Sequence, residues 1–194
     1  MIIAIVGASG TGKSTLERLL VKKYGLEKII SYTTRNRRPN EKQDVDYHYI
    51  TKESFLDLKA KNLFIECEEY SENRYYGTFR SDYEGIKDKV VVLTPNGLRQ
   101  IKKNLSGEKI FYVLMEASLG VRYIRYIKRC GIDKFNFSDK NEISARVERD
   151  YGMFLGIQNE ADMIVTNNWD NEIDAIAKQV YVAAKEKSNE QKEN

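Results

Sequence analysis

Gly7-Ala8-Ser9-Gly10-Thr11-Gly12-Lys13-Ser14-Thr15 reads G-x-x-x-x-G-K-S, the spacing of a loop that cradles phosphate. Its flanks are what that chemistry needs. Met1-Ile2-Ile3-Ala4-Ile5-Val6 is a short apolar run suited to a buried strand. Leu16, Leu19 and Leu20 follow at helical spacing, which predicts a helix from Lys13 to Tyr24 stopped by Gly25. A loop between a strand end and a helix start aims backbone N–H groups and the helix dipole at one point. Gly7, Gly10 and Gly12 permit tight turns and close phosphate approach. In this reading residues Gly7 to Thr15, Ala8, Ser9 and Thr11 among them, hold the donor phosphates. Lys13 reaches the β- and γ-phosphates, and the Ser14 hydroxyl faces Mg²⁺.

Outward from the loop, the rest of the chain alternates strand and helix. Lys89-Val90-Val91-Val92-Leu93, Ile110 to Met115 and Met163-Ile164-Val165 read as buried parallel strands, and Ile29-Ile30 as a short one. Helices are expected around Leu98, Ile101 and Leu105, over Ser118 to Arg129, along Ile143, Val147, Tyr151 and Phe154, and around Ile173, Ile176 and Val180. The polar stretch 131–141 reads as a loop, and the tail from Lys187 as frayed. Residues 31–80 break this rhythm with short strands, a long charged segment from Ser31 to Asp46 and one helix over Lys52 to Lys61. The expectation is an α/β fold of the P-loop NTPase type: a doubly wound parallel sheet with an inserted small strand-rich lobe. The expected divisions are a core of 1–30, 81–120 and 150–186, an inserted lobe of 31–80, a segment of about 121–149 and a polar tail of 187–194.

Composition narrows the function classes. Of 194 residues, 41% are hydrophobic and 31% charged, as in an ordinary globular protein. With 32 basic against 29 acidic residues, the net charge of +3 does not demand nucleic acid and mildly suits a small anionic substrate. Cys67 and Cys130 have neither disulfide-framework nor metal-ligand spacing, which points to reduced thiols in the cytoplasm. No apolar run reaches the ~20 residues of a membrane span, and the N-terminal run reads as a strand rather than a signal peptide. Arg122-Tyr123-Ile124-Arg125-Tyr126-Ile127-Lys128-Arg129 interleaves basic and aromatic residues, but as a helix it splits into a packed and a basic face, which favours a lid helix over a nucleic-acid surface. The single histidine, His48, reads as a strand residue.

The acceptor end carries Ser31-Tyr32-Thr33-Thr34-Arg35-Asn36-Arg37-Arg38, Asp46-Tyr47-His48-Tyr49, Phe64-Ile65-Glu66 and Tyr76-Gly77-Thr78. With the phosphate loop, these segments in this order resemble the guanylate kinase family, whose pattern runs S-x-T-T-R-x-x-R, D-Y-x-F, F-I-E and Y-Y-G-[ST]. The resemblance covers most of the chain and is strongest over residues 3–80. It implies that the lobe of 31–80 is a nucleoside-monophosphate-binding, acceptor lobe and that about 121–149 form a helical lid. It implies transfer of the ATP γ-phosphoryl group, with Mg²⁺, to GMP or dGMP. It implies that Arg35, Arg38, Tyr47 and Tyr76 bind the acceptor phosphate, which suits a dianion. It implies that Ser31, Glu66, Thr78 and Thr94 line the guanine, with Glu66 accepting from N1–H and the exocyclic amine. Arg129 and Arg146 fall at the family's lid-arginine places, and Arg125 is a further candidate on the ATP side.

The family's D-x-D stands here as Val92-Leu93-Thr94, Cys67 stands where tryptophan is common, and one extra residue lies between Glu66 and Tyr76. These departures leave base choice open and leave metal binding to Ser14, nucleotide phosphates and water. Two alternatives stay open at this point: a kinase acting on another nucleotide or a sugar phosphate, and a catalytically silent binding module. Intact Lys13 and Ser14 argue against the module. Whether the chain is a monomer or a homodimer is also open.

Overall fold

In the computed structural model, which describes residues 1–131 and 137–193, the apolar N-terminal run forms β1 (Ile2–Gly7), every residue of it buried. It is the middle strand of a five-stranded sheet. The others are β2 (Glu27–Lys28), β7 (Lys89–Val92), β8 (Ile110–Glu116) and β9 (Met163–Thr166), in the order β2-β7-β1-β8-β9. All four pairings are parallel. Period-two alternation splits β1 between two cores. Ile3 and Ile5 pack with Leu16 and Leu20 of α1 (Lys13–Tyr24) and with Ile176 and Val180 of α6 (Ile173–Glu193). Ile2, Ala4 and Val6 pack with Leu98 and Ile101 of α3 (Pro95–Asn104). Helices therefore cover both faces, and the strands present their carboxyl ends to one edge.

A second sheet has the order β4-β3-β6-β5, from β3 (Tyr32–Thr33), β4 (His48–Tyr49), β5 (Phe64–Ser71) and β6 (Arg74–Phe79). The β5–β6 hairpin is antiparallel and turns through Asn73, at a φ of 58°. One face is stapled by aromatic packing: Phe55 of α2 (Lys52–Ala60) stacks on Phe64 at 4.5 Å, and Tyr32 on Phe79 at 4.3 Å. Two more helices, α4 (Leu119–Cys130) and α5 (Phe137–Phe154), complete the fold.

Three expectations shift. The second strand of the main sheet lies at Glu27–Lys28, one step before the isoleucines. Ile29 still bonds to Val90 O at 2.9 Å but is the buried plug past the strand end. Of the stretch read as a loop, 137–141 belong to α5 and 132–136 lie outside the described residues. The tail expected to fray from Lys187 continues α6 to Glu193. Its Lys, Glu and Gln residues are good helix formers. Lys187 also pairs with Asp162, and Ser188 O accepts from Lys109 Nζ at 2.6 Å. Among the described residues no helix is long and apolar enough to cross a membrane.

Candidate active site

The phosphate loop leaves β1 at Gly7 and enters α1 through Gly12, whose φ of 102° is one that side chains resist. A Cβ there would also lie 2.3 Å from Asn167 Nδ2, which donates to Thr11 O at 2.8 Å. Lys13 folds over its own loop, Nζ donating to Gly7 O at 2.6 Å and Ala8 O at 2.9 Å. Burial lowers its pKa to about 8. The charge of Asp150 opposes this, and those of Arg122, Arg129 and Arg38 add to it. Ser14 and Thr15 are exposed at the head of α1. Helix α4 clamps the loop from outside: Arg122 Nε donates to Ser9 O at 2.8 Å, and Arg125 to Gly10 O at 3.2 Å. Arg125 also reaches Asn167 O at 2.9 Å and Asp170 at 2.7 Å, so it ties the loop to the end of β9.

The two arginines of the long polar segment share one carboxylate. Arg35 makes a bidentate pair with Glu41, both bonds at 2.9 Å. Arg38 donates to the same group through its guanidinium at 3.2 Å and its backbone N–H at 2.9 Å, and Tyr49 OH donates at 2.8 Å. Burial alone would raise the Glu41 pKa, but these donors, Arg35 first, hold it at about 2. The Arg35 guanidinium lies over the rings of Tyr47 and Tyr49, at 5.2 and 5.7 Å, and Tyr47 meets Tyr76 at 6.0 Å. Burial raises the Tyr47 pKa, so its phenol stays protonated as a donor.

Further along the small sheet Glu66 is buried, at 4% exposure. Its Oε1 accepts from Thr78 Oγ1 at 2.8 Å, and Thr78 in turn meets Tyr83 OH at 2.9 Å. Desolvation raises the Glu66 carboxyl to about 7, against the Thr78 bond and with the help of Glu68. Gly97 sits against the other oxygen, where a Cβ would come within 2.8 Å of Oε2. Thr94 caps α3, its hydroxyl accepting from Gly97 N at 3.0 Å. Ser31 is buried at the start of β3, its carbonyl held by His48 N at 2.9 Å.

Between loop and bay stand the later arginines. Arg146 of α5 shares one open basin with Arg35 and Arg38 and a second, smaller cavity with Ser9, Gly10 and Arg129. Its guanidinium lies 5.3 Å from the centre of the Tyr126 ring. Arg129 is open to solvent yet ringed by charge: partial desolvation, then Arg38 and Arg146, lower its pKa, with Glu41 opposing. Lys13, Arg38, Arg129 and Arg146 thus converge on one gap, an arrangement a polyphosphate would relieve.

Sequence reasoning missed Glu41 and Asp150. Asp150 is 2% exposed and accepts from Ser9 N and Tyr70 OH, each at 2.9 Å, while paired with Arg122. It joins the phosphate loop, β5 and α4 through one carboxylate. The only advance signal was its place one turn after Arg146. Among the described residues no cluster of three His, Cys, Asp or Glu could hold a metal by itself.

A phosphate cradle at the carboxyl edge of a parallel sheet, with β1 central, puts the molecule in the P-loop class of α/β nucleotide-binding proteins. The Guanylate kinase family model matches residues 1–187, and the chain belongs to that family. It is 33% identical over 181 residues to a guanylate kinase from Bartonella henselae, spanning 90% of this chain and 77% of that one. It is 30% identical over 184 residues to one from Prochlorococcus marinus, spanning 92% and 94%. In fold it is similar to the crystal structure of guanylate kinase from Anaplasma phagocytophilum, with a TM-score of 0.67 at 19% identity over 93% of this chain and 82% of that one.

Proposed function

We propose that this chain moves the γ-phosphoryl group of ATP onto GMP or dGMP, giving the diphosphate. Lys13 and the amides of residues 7–15 hold the donor phosphates. Arg35 and Arg38, pre-set by Glu41, and the phenols of Tyr47 and Tyr76 hold the acceptor phosphate. Ser31, Glu66 and Thr78 line the base, and Thr94 holds the neighbouring helix start beside them. Arg129 and Arg146 neutralise charge on the group in flight, and Arg125 steadies the ATP side of the loop.

Mg²⁺ fits this site as an ion that Ser14, the nucleotide phosphates and water would hold: the Ser14 hydroxyl is exposed at the loop, and among the described residues no acidic cluster would replace the water. When bound it would offset the charge of the donor phosphates. The chain needs neither nucleic acid nor membrane for this work, and its free Cys67 suits the reducing cytoplasm.

The observation that carries the reading is the shared gap, in which Lys13 feels Arg38 and Arg129, and Arg129 feels Arg146. A coupled assay of diphosphate formation with Mg-ATP over GMP, dGMP, AMP, CMP and UMP tests it. Turnover of the guanine nucleotides is expected, and no turnover of any acceptor would reject it.

A further inference from the structure

The face of the small sheet that bears Glu66 carries a second carboxylate with no assigned work. The β5–β6 ladder sets Glu66 opposite Thr78 and Glu68 opposite Tyr76, and directly opposed residues of an antiparallel pair share a face. Glu69, the next residue after Glu68, faces the other way: it accepts from Tyr75 OH at 3.0 Å, and the Tyr75 ring packs on Phe55 at 5.4 Å. Glu68 is half-buried, and its Oε1 is shut away from solvent with no hydrogen-bond partner. An enclosed carboxylate oxygen without a donor is costly. A ligand that brings a donor removes that cost.

Where Glu68 lies says which donor. It is two residues, roughly 7 Å, along the strand from Glu66, and it stands beside Tyr76. It is therefore next to both the carboxylate read for the base, along the strand, and the tyrosine whose phenol is read for the phosphate, across the ladder. The part of a nucleoside monophosphate between base and phosphate is the ribose, whose donors are hydroxyls. The 2′-hydroxyl lies on the same edge of the nucleotide as the guanine amine.

We propose that Glu68 is a specificity-determining residue that accepts a hydrogen bond from the 2′-hydroxyl of the acceptor, so that GMP is preferred to dGMP. The inference rests on the proposed function and deepens it. With dGMP the Glu68 oxygen stays unmatched, whereas GMP satisfies it, and sites built to bond a hydroxyl discriminate against substrates that lack it.

The test is kcat/KM for GMP and dGMP in the wild type, Glu68→Gln and Glu68→Ala. The wild type is expected to favour GMP by at least about tenfold. Glu68→Ala should bring the ratio to within about twofold, through a fall with GMP and no fall with dGMP, while Glu68→Gln, which keeps one acceptor oxygen, retains part of the preference. A residue that merely braced the sheet would lower both values together. Equal use of the two nucleotides by the wild type, or an undiminished preference in Glu68→Ala, would overturn the inference and leave the kinase reading standing. No turnover of either by the wild type would contradict the kinase reading, and this inference with it.

Discussion

The Glu66 carboxyl, lifted by burial to about 7 from an ordinary 4.5, makes stability depend on pH, and in the proposed base site it makes acceptor binding depend on pH too. Below 4.5 the group is protonated in the folded and unfolded chains alike. As pH rises from there to about 7 the unfolded chain ionises first, so folding loses stability across that window. Acceptor binding runs the other way. In the proposed base site the ionised form offers the lone pairs that Thr78 leaves free to the guanine N1–H and amine, so GMP binding should release a proton. Calorimetry should show GMP affinity rising between about pH 6 and pH 7 and levelling above, with the slope absent in Glu66→Gln. A flat wild-type profile would remove Glu66 from the base site. At this scale the sequence exposed the residues whose spacing is itself the signal, such as Lys13 after its glycines. It hid Glu41, because the bidentate grip needs the chain to curl between Arg35 and Glu41. It hid Asp150, because the loop amide and phenol it accepts from lie 141 and 80 residues away.

Helix α3 shows how one element serves the site. Pro95 follows Thr94 at the helix start, the Thr94 hydroxyl closes the first turn, and Gly97 lets that turn lie against Glu66. Where the family pattern has an aspartate, this chain keeps a side chain that can still cap. Thr94→Ala should therefore cost about 1 kcal/mol in urea unfolding, and Thr94→Asp should restore most of it. An alanine variant as stable as the wild type would show that the cap contributes nothing. The strands of the main sheet were legible because unbroken apolar runs mark strands buried on both faces, as at Val90 and Val91. The start of α5 and the end of α6 were not. Polar helix formers look like loop in composition, and what holds the α6 end is contact with Lys109 and Asp162 from other elements.

Taken as a whole, the molecule carries the two proposed binding surfaces on two different sheets. The phosphate loop leaves the central strand of the parallel sheet, and the Arg35–Arg38 bay and Glu66 belong to the small sheet. Helix α5 contributes to both, with Arg146 bordering the bay and Asp150 on the loop. That long residue segments such as Ser31 to Asp46 do more than connect was legible from their length and charge. That they close around one gap with Lys13 depends on how the sheets pack, which no local pattern records. The central claim is that donor and acceptor sites face each other across this gap closely enough for one phosphoryl group to pass. The most direct measurement is the affinity of a single molecule that joins adenosine to guanosine through a chain of five phosphates. Joined ligands that engage both sites at once gain from effective concentration, so it should bind at least about a hundredfold tighter than ATP or GMP alone, and Lys13→Ala and Arg38→Ala should each weaken it. Binding no tighter than ATP would mean that the two sites do not meet, and would contradict the account.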